Sequence, residues 1–278
     1  MFLLSTLVFY ECLTGETDSA RLFTLFKNSD IFGVELGLCN KGEFNINMSP
    51  ETARVIRDNA KKNHITLRSL STTCLNKASY EYDESNRHEA LDIVRKMIDI
   101  ASYLEIPTIS FHGRRIPEKN THIYGDFREA ELDFLNKIAD YGGQKNVICC
   151  LENRIDGFLK TAKDYIDLAS QVHHENLKLC YDTGNGIFSS GPEEWINEAN
   201  RKYVKLIHFS DVLIKTLRGV LLEFVKPGTG IIDFRYICEL YRKADFSCDI
   251  VIEHFFRKST RPEELTELLN RFIDLQEV

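Results

Sequence analysis

The 278-residue chain is 43% hydrophobic and 28% charged, enough apolar material for a substantial core in one large domain. Its 35 Lys and Arg against 42 Asp and Glu leave a net charge of −7, which disfavours non-specific binding to nucleic acid or anionic membrane. The eight cysteines include no C-x-x-C pair, and Cys149, Cys150, Cys180 and Cys248 fall in apolar, strand-like runs, so free buried thiols of a reducing compartment are expected rather than disulfides or structural zinc.

The opening MFLLSTLVFY lacks a basic flank and a small-residue cleavage site, so it reads as a first strand over residues 2–9. A helix follows from Thr17-Asp18 to about Asn28, and FGVELGL (32–38) is a second strand carrying the lone acid Glu35. Ser49-Pro50 pairs an N-cap with a first-turn proline and starts a helix to about Asn63. Residues 65–71 form the third strand, and Leu91, Val94, Ile98, Ala101 and Leu104 recur at helical spacing within a long helix, 85–104. The pattern repeats: strand 107–111 ends on His112-Gly113, and helix 126–142 is expected to close at Gly142-Gly143. Strand 147–151 precedes Glu152 and a helix over 160–172; strand 177–181 precedes Asp182, the turn Thr183-Gly184-Asn185-Gly186 and a short helix from Pro192. Strand 203–207 precedes His208 and a long loop, with Pro227-Gly228-Thr229-Gly230 read as a turn within it. Helix 233–244, strand 248–252 ending on Glu253 and a last helix from Pro262 complete the chain. Eight apolar strands alternating with amphipathic helices, without a linker, predict one domain over 1–278, a single (β/α)8 TIM barrel. No run reaches the length of a membrane span, and a cytoplasmic location is expected.

Four strand ends stand out: Glu152, Asp182, His208 and Glu253, on strands five to eight, which converge at one mouth of a barrel. Three carboxylates meeting one imidazole beside apolar strands repel one another unless a cation sits among them. That oxygen-rich set suits one divalent ion, Mn²⁺, Mg²⁺ or Co²⁺, better than zinc.

The motifs GVELG (33–37), ISFHG (109–113), CLENR (150–154), YDTGN (181–185), LIHFSD (206–211), GTGIIDF (228–234) and VIEH (251–254) run in order through nearly the whole chain. Together they resemble the xylose isomerase-like barrels, a family that includes sugar-phosphate isomerases and epimerases, ketose 3-epimerases, inosose dehydratases and apurinic endonucleases. The resemblance implies that Glu152, Asp182, His208 and Glu253 bind one catalytic divalent metal. It further implies proton movement next to the carbonyl of a sugar or sugar phosphate through a metal-stabilised ene-diolate, with Glu152 and Glu253 removing and returning the proton. An inosose-type dehydration and an endonuclease-like phosphodiesterase are the alternatives, and homo-oligomers are common among relatives. The endonuclease branch adds histidines for three zinc ions, but SLSTT (69–73) has none and Asn185 stands where another is found. Only His112 remains of that extra set, and nucleic acid is not expected as a partner. The D-T-G-N form is closer to the isomerase/epimerase and dehydratase members.

Six further residues are candidates for substrate contact. His112 is placed to hydrogen-bond a sugar hydroxyl. Arg154 is placed to grip a hydroxyl or phosphate, or to pair with an acid. Asn185 contacts substrate, orients a ligand or serves the turn. Glu35 contacts substrate or supports another polar side chain. Asp211 holds His208 or caps the loop, and Lys215 meets an anionic substrate. Trp195 is expected to pack, and the loops 74–82 and 116–125 to carry specificity.

Overall fold

The computed structural model describes residues 1–6, 15–29, 31–75, 84–114, 124–172, 174–215, 221–253 and 262–273. In chain order the elements are β1 (Phe2–Ser5), α1 (Ser19–Lys27), β2 (Gly33–Leu38), α2 (Pro50–Lys62), β3 (Thr66–Thr72), α3 (Glu84–Leu104), β4 (Thr108–His112) and α4 (Tyr124–Lys145). There follow β5 (Ile148–Glu152), α5 (Ala162–Ala169), β6 (Leu177–Asp182), α6 (Pro192–Trp195), β7 (Val204–Phe209), β8 (Asp211–Lys215), β9 (Leu221–Val225), α7 (Phe234–Lys243), β10 (Asp249–Ile252) and α8 (Pro262–Ile273). Eight strands close in the order β1-β10-β7-β6-β5-β4-β3-β2, every neighbouring pair parallel. The expected (β/α)8 barrel is therefore the observed fold.

Local chemistry sets the elements. Asp18, Ser49, Thr161 and Asp233 each cap a helix by accepting a backbone N–H, and Thr161 with Asp164 forms a reciprocal capping box. Helices α1 to α5 bury apolar stripes against the barrel, in a core that runs from Leu4 through Phe23, Ile56, Val94, Leu135 and Leu168. Trp195 is fully buried and stacks on Tyr181 with ring centroids 5.1 Å apart, a packing role as expected.

Two expectations are corrected. The long segment after β7 is not all loop: β8 and β9 pair there as an antiparallel hairpin outside the barrel. The other correction is that α4 does not stop at Gly142-Gly143 but continues to Lys145, and Asn146 takes the left-handed turn beyond it with φ of 56°. Gly142 serves packing instead, since a Cβ there would lie 2.6 Å from Cys149 Sγ and 2.7 Å from the Val147 carbonyl. Of the first strand's expected span, residues 7–9 lie outside the described residues, as do most of both loops expected to set specificity, 76–82 and 116–123.

Candidate metal centre

Because successive strand residues face opposite sides, an acid at the end of an inward row points into the barrel mouth. Glu152 and Asp182 end β5 and β6, His208 is the penultimate residue of β7, and Glu253 directly follows β10. Register carries them together: Asp182 pairs with His208, His112 with Glu152, and His208 with Val251. One ligand atom from each of Glu152, Asp182, His208 and Glu253 lies within 4.8 Å of the other three. Glu152, Asp182 and His208 are buried, and Glu253 is half-buried.

The electrostatics are those of carboxylates short of positive charge. Burial, together with the Glu152 and Glu253 carboxylates, pushes Asp182 up to about 7. Glu152 is pulled below its usual range: burial opposes its ionisation, but the His112 and His208 rings outweigh burial. His208 is held well above its ordinary value against burial, which favours the neutral ring, by Cys180, Glu35 and Glu152 around it. His208 Nδ1 points between Glu152 Oε1 at 3.5 Å and Glu253 Oε2 at 3.4 Å, is buried, and makes no hydrogen bond. A buried nitrogen without a hydrogen bond, clustered with three carboxylates, is a donor set that fits a divalent cation.

Neighbouring groups hold these four side chains in place. His208 Nε2 lies 3.2 Å from Glu35 Oε2, which also accepts from Ser69 Oγ at 2.9 Å. When Nε2 donates to Glu35, the Nδ1 lone pair is left facing the Glu152 and Glu253 carboxylates. Asp182 Oδ1 accepts from the Asn185 backbone N–H at 2.6 Å and from Ser210 Oγ at 2.8 Å. The Asn153 side chain bonds both backbone groups of Asp182, accepting from its N–H at 2.6 Å and donating to its carbonyl at 2.9 Å. His112 Nε2 lies 3.2 Å from Glu152 Oε1; the pKa of His112 is raised, burial notwithstanding, by the Glu152 carboxylate.

A family model described as a xylose isomerase-like TIM barrel matches residues 24–275. The chain belongs to that family. It is 27% identical over 146 residues to an inosose dehydratase of Histophilus somni (strain 129Pt), covering 46% of this chain and 49% of that one. The chain thus spans about half the length of the inosose dehydratases it matches. A solved structure of the IolI protein with a binding zinc atom superposes with a TM-score of 0.76 at 17% identity, covering 99% of this chain and 98% of that one. D-psicose 3-epimerase with D-tagatose from Clostridium cellulolyticum H10 superposes at 0.73 and 17% identity, with coverage of 99% and 98%. At such identities the structural likeness speaks to the fold.

Within this xylose isomerase-like barrel the other expected site residues separate. Glu35 and His112 join the ligand cluster by direct contacts with His208 and Glu152. Asn185 reaches it through its backbone N–H on Asp182. Arg154 pairs with Asp156 at 2.8 Å, the acid-pairing role rather than an open grip on substrate. Asp211 does not hold His208: it is fully buried, and its oxygens accept from the backbone N–H groups of Val212, Gly228, Gly230 and Ile232, so it fastens the loop. This corrects its assignment to substrate. Lys215 ends β8, and its side chain lies outside the described residues. Asn153, Ser210 and Ser69 were missed. Asn153 and Ser210 each directly follow a strand in a motif already singled out, and that adjacency was the available signal. A cleft of about 610 Å³ beside the β6–α6 turn is lined by Tyr181, Phe188, Ile231 and Tyr236 among others, and by none of the four ligands. Among the described residues no helix is long and apolar enough to cross a membrane, and the seven described cysteines are all free.

Proposed function

We propose that this barrel is a divalent-metal-dependent enzyme that moves a proton next to the carbonyl of a sugar or sugar phosphate, an isomerase or epimerase in outcome. The observation that carries it is the convergence of Glu152, Asp182, His208 and Glu253 within 4.8 Å, with a buried His208 Nδ1 that has no hydrogen bond. These four would hold one ion, and their three carboxylates favour Mn²⁺, Mg²⁺ or Co²⁺ over zinc. A bound ion supplies Lewis-acid polarisation of a substrate carbonyl.

The chain's own residues do the rest. Glu152 and Glu253 both approach His208 Nδ1, and their carboxylates take and return the proton at carbon. His112, partly exposed beside Glu152, holds the charge of that carboxylate and offers its ring to a sugar hydroxyl. Glu35 keeps the His208 ring turned toward the ligands, and Asn153 with Ser210 fixes Asp182. The partner is a small-molecule sugar or sugar phosphate.

A second reading, dehydration of an inositol-derived ketone, is favoured by the 27% identity with an inosose dehydratase over half of each chain. β-Elimination begins with the same abstraction of a proton beside a carbonyl. An endonuclease-like activity is disfavoured, because Ser69, Ser71 and Asn185 occupy the stretches where further histidines would be needed and the chain is net acidic.

The deciding experiment incubates Mn²⁺-loaded protein with ketoses, their phosphates and inososes in D₂O, followed by NMR. Deuterium at the carbon beside the carbonyl is the expected result, with the sugar framework intact for epimerisation and water lost for dehydration. No exchange with any member of the panel overturns the reading.

A further inference from the structure

Two residues back from each of the four ligands along its strand stand Cys150, Cys180, Leu206 and Val251, and these pack with Leu3 in one buried cluster. This layer under the metal centre is not chemically silent. Cys180 is fully buried and is the register partner of Glu152 across the β5–β6 ladder. One ligand atom from each of Glu152, Cys180 and His208 lies within 4.8 Å of the other two. His208, itself 2% exposed, brings to the group a buried Nδ1 that makes no hydrogen bond. A thiol, a carboxylate and an imidazole therefore share one small volume at the floor of the site.

We infer that the barrel offers thiophilic divalent ions a sulfur-bearing seat, Glu152–Cys180–His208, which shares two ligands with the oxygen-rich set and competes with it. Asp182 and Glu253 complete the set for hard ions such as Mn²⁺ or Mg²⁺; Cys180 replaces them for softer ions such as Cd²⁺ or Zn²⁺. Ligation takes the thiolate, so Cys180 Sγ–H gives its proton to the solvent buffer as the metal–sulfur bond forms, and no electron is transferred. A soft ion is thereby drawn one layer down the barrel, away from Asp182 and Glu253. The identity of the bound metal is then decided by a thiol that the oxygen-rich centre does not use. The inference rests on reading Glu152 and His208 as metal ligands.

The test titrates the metal-free protein with Cd²⁺ while recording ultraviolet absorption. A thiolate-to-metal charge-transfer band that saturates at one equivalent is expected. The band should vanish in Cys180→Ser and Cys180→Ala, persist in Cys150→Ser and Cys74→Ser, and be suppressed by excess Mn²⁺. Mn²⁺ affinity, read from the electron paramagnetic resonance of the free ion, should stay at the wild-type value in Cys180→Ser. Cadmium NMR of the wild-type protein gives a variant-free reading: a resonance moved strongly downfield by one thiolate supports the seat, and one typical of oxygen and nitrogen ligands alone overturns it. A charge-transfer band that survives loss of Cys180 also overturns it. Mn²⁺ binding without any sulfur signature sinks only this inference, whereas failure to bind either ion sinks the four-ligand reading as well.

Discussion

The two halves of the barrel interior are built from different chemistry. On β5, β6, β7 and β10 the strand ends carry Glu152, Asp182, His208 and Glu253 over a floor of thiols and aliphatic side chains. On β1 to β4 the buried polar residues are Ser5, Glu35, Ser69, Ser71, Thr72, Thr108 and Ser110. The first half concentrates charge where several carboxylates can share one cation. The second holds a single acid, Glu35, and its charge reaches the first half only through the His208 ring. In the proposed reading one side binds the ion and the other orients its histidine.

The largest effect that would break this contrast is in metal-free protein. Asp182, pushed from 3.8 to about 7, keeps its proton in the fold where the unfolded chain has lost it. The raised value means that metal-free stability falls as pH rises from about 4 to about 7, by up to about 4 kcal/mol. His112 and His208, also raised, lose their stabilising contribution as pH climbs through their folded values, which reinforces the decline above the ordinary histidine range. Saturating Mn²⁺ should flatten the slope, as measured by urea unfolding across that range. A metal-free protein whose stability is flat or rises over the same window would show that the carboxylates are not crowded.

Next in size, Asp182→Asn should lower Mn²⁺ affinity by about 100-fold or more, beyond the cost of losing an outer partner, yet stabilise the metal-free protein above about pH 7. Titration calorimetry and unfolding on the same sample check both signs. Glu35→Gln tests the orienting half and should cost about 10–100-fold in metal affinity with the fold retained. An unchanged affinity would mean that the His208 ring is held by its ladder alone. The smallest effect is expected for Ser69→Ala, which removes one of the two groups bonded to Glu35 Oε2: about 1 kcal/mol of stability and a minor loss of affinity.

What was legible in the sequence is local. Each barrel strand is a short apolar run ended by a polar residue, and the caps Asp18, Ser49 and Asp233 sit where their residue types predict. The convergence of Glu152, Asp182, His208 and Glu253 could be expected because each lies at or beside the end of its own strand. The Glu35–His208 contact joins residues 173 positions apart, and only closure of the barrel creates it. The hairpin escaped because, among the described residues, its strands pair only with each other, and the Pro227–Gly230 turn signals next to them read as loop. Gly142-Gly143 misled because a helix end and a helix pressed against a strand both call for glycine, and the choice depends on Cys149 across the interface.

Asp211 has a consequence for how this barrel can change. One carboxylate clasps Val212 at the start of the excursion and Gly228, Gly230 and Ile232 at its return, and a side chain on Gly230 would collide with that carboxylate. The excursion is thus a cassette buckled at both ends to a single residue. The clasp spares only part of the site from the excursion, because Val212 and Phe224 within it also lie close to Gly184 in the turn that follows Asp182.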